Sequence, residues 1–234
     1  HFLDSELCQL DKVYLYQLSN YNKVVLQRNK LLKELYLHPD YREVLDVLDM
    51  QLVQYGSALI QRRQTFAEEL GEIVHRIHSQ LSGGQEEMEL KYEPNVTVDA
   101  FAQMLFSNRE RDMRLKTTAT GPHRDDISFV VNGVDIRKFG SQGQQRTAAL
   151  SLKLSEIELV KRLIGDTPVL LLDDVLSELD SGRQNYLLNS IENIQTLITC
   201  TGLDEFVNHR FSINRIYKVT DGSVTVENKQ EADR

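Results

Sequence analysis

Several features that would classify a protein at once are missing from this chain of 234 residues. No run of about 18 apolar residues occurs, so the sequence predicts no membrane-spanning helix. No charged segment followed by an apolar one marks a secretory signal, and no internal repeat or low-complexity segment is present. Because the chain begins with His1 rather than methionine, we expect a fragment or a processed chain. The 41% hydrophobic and 26% charged residues are typical of a soluble globular protein.

Cysteine and excess basic charge are also lacking. The two cysteines, Cys8 and Cys200, lie far apart in sequence, and neither has a histidine at metal-ligand spacing. This pattern favours free thiols in a reducing compartment, and we expect a cytoplasmic protein. The net charge of −8 and the pI near 5.3 exclude a surface coated with basic residues, although a local basic patch could still bind nucleic acid.

The first third of the chain carries two amphipathic helical patterns. Apolar residues recur every three or four positions from Phe2 to Leu37 and again from Leu45 to Ile77, and His38-Pro39-Asp40 separates the two stripes. Proline cannot continue a helix, so residues 1–80 are predicted to form an antiparallel helical hairpin. A coiled-coil seam is the alternative, but packing in a helical subdomain fits a hairpin of this length better.

Residues 81–227 mix strand and helix patterns and predict an α/β lobe, followed by a disordered polar tail at 228–234. The predicted elements are strands at Met88–Glu93, 168–174, Thr196–Cys200, Ile216–Val219 and Val224–Val226, helices at Val98–Leu115, Gln142–Ile164 and Gly182–Ile194, and a hairpin at Ile127–Ile136 with its turn at Asn132-Gly133.

The segment Pro168-Val-Leu-Leu-Leu-Asp-Asp174 predicts a buried parallel strand that ends in two carboxylates. Open α/β sheets bind ligands at the carboxyl ends of their strands. Asp173 and Asp174 at that position suit a hydrated magnesium ion and a polarised water, as nucleoside triphosphate hydrolysis requires. For this motif alone, the alternative is an acidic turn after an ordinary strand.

A glycine-rich turn, Gly140-Ser-Gln-Gly-Gln-Gln-Arg146, begins the helix before that strand. Backbone N–H groups and the helix dipole at such a turn suit a phosphate group. Ser141 adds a hydroxyl donor, and Gly143 permits close approach of the backbone. Taken alone, the turn could equally be an ordinary N-cap.

The order of the motifs is more specific than any one of them. The glycine-rich helix start, the strand ending in Asp-Asp and Ser177-Glu-Leu-Asp180 resemble the signature motif, Walker B strand and D-loop of an ATP-binding-cassette head. Leu81-Ser-Gly-Gly-Gln85 spells the signature of transporter cassettes, but it ends a helical hairpin and lies two elements before the acidic strand. We therefore interpret it as a turn.

The finer resemblance is to the RecF family of the SMC-like group, and it covers essentially the whole chain. Thr120-Gly-Pro-His-Arg-Asp-Asp126, Gly140–Arg146 and Leu170–Asp180 carry it, supported by Phe2-Leu-Asp and by the Gln27-Arg-Asn run. The first of these motifs distinguishes the family from transporter cassettes. The resemblance implies an α/β fold: the carboxyl half of an ABC-type, SMC/RecF-like ATPase head with a helical-hairpin subdomain.

The resemblance also implies roles at matching positions. Asp173 matches the acid that holds Mg²⁺, and Asp174 takes the place of the base that orients the attacking water. Asp180 matches the D-loop aspartate, which reaches across an ATP-dependent homodimer. The positions that match the nucleotide-contacting signature of the opposite protomer are Ser141, Gln142, Gly143 and Gln144. The chemical role of Gly121–Asp126 does not follow from the pattern.

Three departures from the cassette pattern modify these expectations. No Gly-x-x-x-x-Gly-Lys-Ser/Thr loop occurs, and RecF proteins carry that loop near the amino terminus, so we expect this chain to lack the first lobe and to be inactive alone. Asp174 replaces the usual glutamate, which suits a weak, switch-like ATPase in the full-length protein. Thr201-Gly202 stand where many cassettes place a switch histidine.

The resemblance implies an ATP-dependent DNA-binding protein of recombinational repair, replication restart and the SOS response to DNA damage. Such a protein binds single-strand/double-strand junctions and assists recombinase loading with its partner RecR. The alternatives are a non-catalytic scaffold of an SMC-like protein and a transporter-type ATPase, which the Asp-Asp pair disfavours. The candidate DNA contacts are Arg109, Arg111, Arg114 and Lys116, with Arg62 and Arg63 on the second long helix. Interspersed Glu110 and Asp112 equally suit a solvated helix face.

Overall fold

The computed structural model describes residues 2–35, 42–191, 193–200 and 214–227. The chain divides into two compact units, His1–Pro168 and Val169–Arg234. The predicted boundary near residue 80, between the helical hairpin and the α/β lobe, is a division by expected function and stays a prediction. The predicted break at His38-Pro39-Asp40, the Thr201-Gly202 departure and the predicted tail all lie outside the described residues.

The first unit is built mainly from helices and one small sheet. Its helices are α1 (Phe2–Leu10), α2 (Lys12–Glu34), α3 (Arg42–Leu81), α4 (Val98–Ser107), α5 (Arg109–Leu115), α6 (Ile136–Phe139) and α7 (Gln142–Ile164). Its strands are β1 (Met88–Glu93), β2 (Asp126–Val131) and β3 (Val134–Asp135). The second unit contains β4 (Leu170–Asp173), α8 (Ser181–Ser190), β5 (Thr196–Thr199), β6 (Ile216–Thr220) and β7 (Ser223–Glu227).

The predicted first helix is two helices in the structure. Asp11 has extended backbone angles and caps α2, because its carboxylate accepts hydrogen bonds from the backbone N–H groups of Val13 (2.9 Å) and Tyr14 (3.0 Å). A short acidic side chain that satisfies the first N–H groups of a helix favours a new helix start over continuation. The prediction of an uninterrupted helix was therefore wrong at Asp11.

The second predicted helix is confirmed as α3, which packs against both α2 and α7. The apolar stripe lies in the core, with Leu52, Leu59 and Leu70 fully buried. Gly56 provides the close approach between α3 and α4, since a Cβ atom there would lie 2.5 Å from the Phe101 ring. The periodic pattern therefore predicted the buried face as well as the helix.

The helix predicted at Val98–Leu115 is likewise divided, into α4 and α5. Asn108 lies between them, and its side-chain amide donates a hydrogen bond to the Thr120 hydroxyl at 2.8 Å. This contact ties the junction to a loop 12 positions later in the chain, which local periodicity does not predict.

The small sheet of the first unit has the order β1-β2-β3, with antiparallel pairs throughout. Met88 pairs with Val131 and Glu93 with Asp126, and the predicted turn at Asn132-Gly133 joins β2 to β3. The predicted hairpin is correct except at Ile136, which begins the short helix α6. β1 packs against α3, so the sheet covers one side of the long helix.

In the second unit, β4 pairs in parallel with β5, and β6 forms an antiparallel hairpin with β7. The parallel arrangement was predicted, but the predicted burial of β4 was wrong: Leu172 is buried, while Leu171 is 71% exposed. The described sheet has only two strands, and no described element of the second unit covers the face that Leu171 occupies. The next helix, α8, was predicted to end at Ile194, but it ends at Ser190.

Cys8 and Cys200 are both free, in agreement with the prediction of unpaired thiols. Across the described ranges, no helix combines the length and the apolar character needed to cross a membrane.

Candidate functional site

The predicted acidic strand ends at a polar contact with its neighbour. Asp173 is the last residue of β4 and lies opposite Thr199, the last residue of β5. The Thr199 hydroxyl donates a hydrogen bond to the Asp173 carboxylate. This bond fixes the carboxylate at the carboxyl end of the parallel pair, where open α/β sheets bind ligands. Sequence reasoning missed Thr199, although its place at the end of the adjacent strand was a usable signal.

Asp174 adopts a left-handed backbone conformation with φ of 50°. Its N–H donates to the backbone carbonyl and to the hydroxyl of Thr199, each at 3.1 Å. Non-glycine residues rarely adopt this conformation, although aspartate tolerates it better than most. The two contacts to Thr199 hold the backbone in place and leave the Asp174 side chain exposed beside Asp173.

The D-loop-like segment forms a tight connection to α8. The Ser177 hydroxyl donates to the carbonyl oxygen of Asp174 at 2.8 Å. Asp180 caps α8 by accepting a hydrogen bond from the backbone N–H of Arg183 at 3.0 Å, and the Arg183 guanidinium lies 2.6 Å from the same carboxylate. These contacts, the backbone one foremost, lower the pKa of Asp180, so it is a carboxylate at neutral pH.

The signature-like turn is a complete capping box at the start of α7. The Ser141 hydroxyl oxygen accepts from the backbone N–H of Gln144 at 3.2 Å, and the Gln144 side-chain oxygen accepts from the Ser141 N–H at 3.1 Å. Gln142 and Gly143 are exposed at the same helix end. The structure therefore brings the four predicted residues together on one exposed helix N-terminus, a geometry that suits an anion.

The Gln144 side chain is itself held from the other side. Its Nε2 donates to Glu86 at 3.0 Å, and the second carboxylate oxygen of Glu86 lies 3.1 Å from Nε2 of His78. His78 is fully buried on α3. Neither Glu86 nor His78 was predicted to contribute to the site, because the contact with Gln144 joins positions 58 residues apart.

The literal signature sequence Leu81–Gln85 is a turn, as interpreted. α3 ends at Leu81, and the next glycines, Gly83 and Gly84, both have positive φ, at 65° and 77°. The Gly84 N–H donates to the carbonyl of Ser79 at 2.7 Å, which closes the end of the helix. The glycines serve a helix C-terminus here, not a helix N-terminus that could receive phosphate.

The predicted basic cluster has two kinds of member. Arg109 is committed to carboxylates on α3, since its guanidinium lies 2.6 Å from both Asp46 and Asp49. Desolvation of the guanidinium lowers the pKa of Arg109, but the two carboxylates outweigh that effect and raise it. The members that face solvent are Arg111, Arg114 and Lys116.

The two arginines of α3 have partners inside the first unit. Arg62 lies 3.2 Å from Asp11. Arg63 is buried, so the suggestion that Arg63 contacts a phosphate was wrong.

The described residues supply only part of the ligands that a Mg²⁺ ion with a bound nucleotide would need. No group of three or more His, Cys, Asp or Glu side chains in the described ranges could hold a metal by itself. Mg²⁺ usually keeps several waters and takes one or two carboxylates plus phosphate oxygens, so an exposed Asp173 fits such a shared coordination sphere.

Comparison with known proteins bears on the resemblance. No protein-family model matches the chain. The DNA replication and repair protein RecF of Lachnospira eligens is 58% identical over 229 residues, which is 97% of this chain and 63% of that protein. The chain belongs to the RecF family. RecF of Agathobacter rectalis is 59% identical over 225 residues, and the chain spans 62% of its length. The chain thus spans less than two thirds of these relatives.

Solved RecF structures agree with the fold. The recombination mediator protein RecF-ATP of the RecFOR pathway is 33% identical, with a TM-score of 0.84 over 97% of this chain and 62% of that one. The RecF-ATPrS structure gives a TM-score of 0.82 at the same identity. The predicted fold, part of a RecF-like ATPase head with a helical hairpin, is confirmed.

Proposed function

We propose that this chain is the part of a RecF-type, ATP-dependent DNA repair protein that carries the Walker B strand, the D-loop and the signature helix. The observation that carries the proposal is Asp173 at the carboxyl end of the parallel strand β4, with its carboxylate oriented by Thr199. The solved relative with ATP supports the same ligand for this chain. The wider setting is recombinational repair and replication restart in the cytoplasm, within the SOS response.

In this proposal Asp173 and Asp174 have different roles. Asp173 would hold Mg²⁺ through water, and the metal would neutralise phosphate charge when bound. Asp174 would orient the attacking water, since its backbone is anchored twice to Thr199 and its carboxylate is exposed. An aspartate reaches less far than a glutamate, so we infer a weak, switch-like ATPase in the natural full-length protein.

The signature turn would serve the nucleotide bound by a second protomer. Among its described contacts, the Ser141 hydroxyl oxygen only accepts a hydrogen bond, so its proton can be donated to a phosphate oxygen. The exposed N–H groups at Gln142 and Gly143 carry the positive end of the α7 dipole. Asp180 would reach across the same interface from the D-loop. ATP would thereby drive homodimerisation.

The proposed DNA contacts are the exposed Arg111, Arg114 and Lys116, which would bind phosphates at single-strand/double-strand junctions. Arg109 would orient this surface from its ion pairs with Asp46 and Asp49. The dimer bound at a junction would cooperate with RecR and assist recombinase loading.

The test is ATP-dependent dimerisation of the natural full-length protein, measured by sizing with light scattering. Ser141→Arg places a bulky cation where the phosphate would lie, so dimerisation should be lost while the monomer still binds ATP. The control is Gln85→Arg, an exposed position in the literal signature sequence at the end of α3, which should dimerise normally. Dimerisation that survives Ser141→Arg would remove the role of the signature turn.

A further inference from the structure

We propose that Glu86 and His78 are positioning residues for the signature turn and that they act through the side chain of Gln144. The inference rests on the proposed function of that turn in ATP-driven dimerisation. It assigns a role to the turn after α3, which joins the helical hairpin to the small sheet. We call the series Gln144, Glu86, His78 and Ser151 the signature relay.

The contacts of the Gln144 amide fix its orientation. Its oxygen accepts from the Ser141 N–H at 3.1 Å, and its Nε2 donates to Glu86 at 3.0 Å. An ionised carboxylate can only accept hydrogen bonds, so Glu86 requires the nitrogen side of the amide. A flipped amide would place its NH₂ group against the Ser141 N–H and would turn its oxygen towards the carboxylate. Glu86 therefore selects the rotamer that closes the capping box.

Glu86 is attached to the interior through His78. Its other carboxylate oxygen lies 3.1 Å from His78 Nε2, and His78 is fully buried between α3 and α7. On the far side of the ring, Nδ1 lies 2.9 Å from the Ser151 hydroxyl, which is also fully buried. Buried polar groups are costly without partners, so the chain of contacts has little freedom to rearrange.

The buried end of the signature relay lies at Ser151. The Ser151 hydroxyl donates its single proton to the Thr147 carbonyl at 2.7 Å, so the contact with His78 requires a proton on Nδ1. The contact between Nε2 and Glu86 requires a second proton, because two lone pairs would repel. Both ring nitrogens of His78 therefore have polar partners in the relay, and the Glu86 oxygen that faces Gln144 accepts the hydrogen bond from its amide.

The signature relay links the exposed turn to the core through one specific orientation of the Gln144 side chain. The relay starts at Gln144 at the N-terminus of α7, passes through Glu86 and His78 of α3, and returns to α7 at Ser151, so it fixes the turn relative to the helix that α7 packs against. A turn that meets a phosphate on another protomer benefits from such preorganisation, because ordering it on binding would cost affinity. The expected consequence is a specific one: loss of Glu86 weakens ATP-driven dimerisation and leaves ATP binding by the monomer unchanged.

The experiment uses the natural full-length protein and compares Glu86→Ala with Glu87→Ala. Glu87 is the adjacent, exposed carboxylate and makes no side-chain contact with α7 among the described residues. Glu86→Ala should raise the ATP concentration for half-maximal dimerisation by about tenfold, the scale of one lost hydrogen bond to a charged group. Glu87→Ala should match the wild type in both measurements.

Hydrogen–deuterium exchange without nucleotide separates the relay from the proposed function. The peptide that contains Ser141 and Gln144 should exchange about tenfold faster in Glu86→Ala. Unchanged exchange in that variant would overturn the relay. A wild-type protein that does not dimerise with ATP would instead overturn the proposed function, and the exchange data would still decide the relay.

A paired substitution covers the case in which Glu86→Ala does not fold. Gln144→Glu places two carboxylates side by side, and it should increase exchange of the same peptide. When Glu86→Gln is added, the new amide at position 86 can donate a hydrogen bond to the new carboxylate at position 144. The double variant should therefore recover the wild-type exchange rate. Failure of the double variant to recover would contradict a direct contact between the two side chains.

Discussion

The Arg63 guanidinium donates a hydrogen bond to the Asp125 carboxylate at 2.8 Å, and both side chains are buried. The same guanidinium contacts Asp4 at 2.7 Å and the Pro122 carbonyl at 2.6 Å. It therefore joins α1, α3 and the family motif Gly121–Asp126 in one network. The sequence left the role of Gly121–Asp126 open, and the structure shows that this motif connects elements of the first unit through hydrogen bonds with Arg63.

Asp125 is the second centre of this network. It accepts hydrogen bonds from the Tyr92 hydroxyl on β1 and from the Asn95 N–H at 2.8 Å, besides the contact with Arg63. Three donors around one buried carboxylate satisfy most of its acceptor sites. Asp125 therefore has a structural role, unlike a carboxylate in an exposed, charged turn.

The first prediction concerns Arg63→Met. Removing the cation breaks the ion pairs that buried Arg63 makes with Asp125 and Asp4, so the free energy of unfolding should fall by about 3–5 kcal/mol. Arg62→Met is the matched control on the same helix, because the Arg62–Asp11 pair is partly exposed and should contribute at most about 1 kcal/mol. Urea denaturation measures both. Equal losses in the two variants would contradict the central role of Arg63.

The second prediction concerns Gly121→Ala. Gly121 has φ of 132°, and a Cβ atom there would lie 2.3 Å from the Tyr21 hydroxyl oxygen. The variant therefore combines backbone strain with a clash and should lose more stability than Gly133→Ala, where φ is 82° and the space is open. Strain alone should cost the control about 1–2 kcal/mol. Thermal unfolding compares the two, and Tyr21→Phe should partly rescue Gly121→Ala.

The third prediction concerns the pH dependence of stability through His123. Its Nε2 lies 2.9 Å from the Thr118 carbonyl, which can only accept, so Nε2 carries the proton of the neutral ring, and in that form Nδ1 accepts from the Tyr21 hydroxyl at 2.7 Å. Burial lowers the pKa of His123 below 6.5. The unfolded chain therefore binds more protons just below pH 6.5, and the contribution of His123 is present above that value and lost as the pH falls.

The variant His123→Gln tests this sign, because glutamine does not titrate. Between pH 7 and 5 the wild type should lose stability more steeply than the variant, by no more than about 1.4 kcal/mol per pH unit. Urea denaturation at several pH values gives both slopes. Parallel slopes would show that His123 does not titrate in this range.

The fourth prediction concerns Asp173→Ala in the full-length protein. Loss of the carboxylate at the end of β4 should abolish Mg²⁺-dependent ATP hydrolysis if Asp173 holds the metal. Asp166→Ala is the control, since Asp166 is an exposed carboxylate in the loop before β4. Phosphate release measures activity in both. Hydrolysis that persists in Asp173→Ala with an ordinary Mg²⁺ requirement would exclude the metal role.

The fifth prediction concerns the basic side chains of α5. Replacing Arg111 and Arg114 with alanine should weaken junction-DNA binding and lower the slope of log affinity against log salt by about 1 for each phosphate that the protein no longer neutralises. Arg109→Ala should instead reduce stability, because Asp46 and Asp49 would lose their shared cation. Anisotropy titrations at several salt concentrations measure the slopes. An unchanged slope for the double variant would mean that Arg111 and Arg114 do not contact DNA phosphates and that DNA binds another surface.

Local signals account for the elements that could be predicted from the sequence. Helix α7 was predicted from Gln142 to Ile164 because a glycine-rich turn precedes it and Gly165 follows it. The structure shows the physical reason, since Ser141 caps the helix and Gly165 adopts the left-handed conformation that ends it. The turn at Asn132-Gly133 was predicted for a similar reason. The breaks at Asp11 and Asn108 were not, because each depends on which hydrogen bond a short polar side chain makes.

The amino-acid sequence by itself determined the order of the motifs, the periodic core faces of α2 and α3, and the family. These depend on residues close together in the chain, where spacing alone sets which side chains share a face. Only the tertiary structure decided that Arg63 is a buried ion-pair centre, that Thr199 orients Asp173 and that Glu86 holds Gln144. Each of these contacts joins distant positions, and burial and hydrogen-bond geometry select the partner only after the chain has folded.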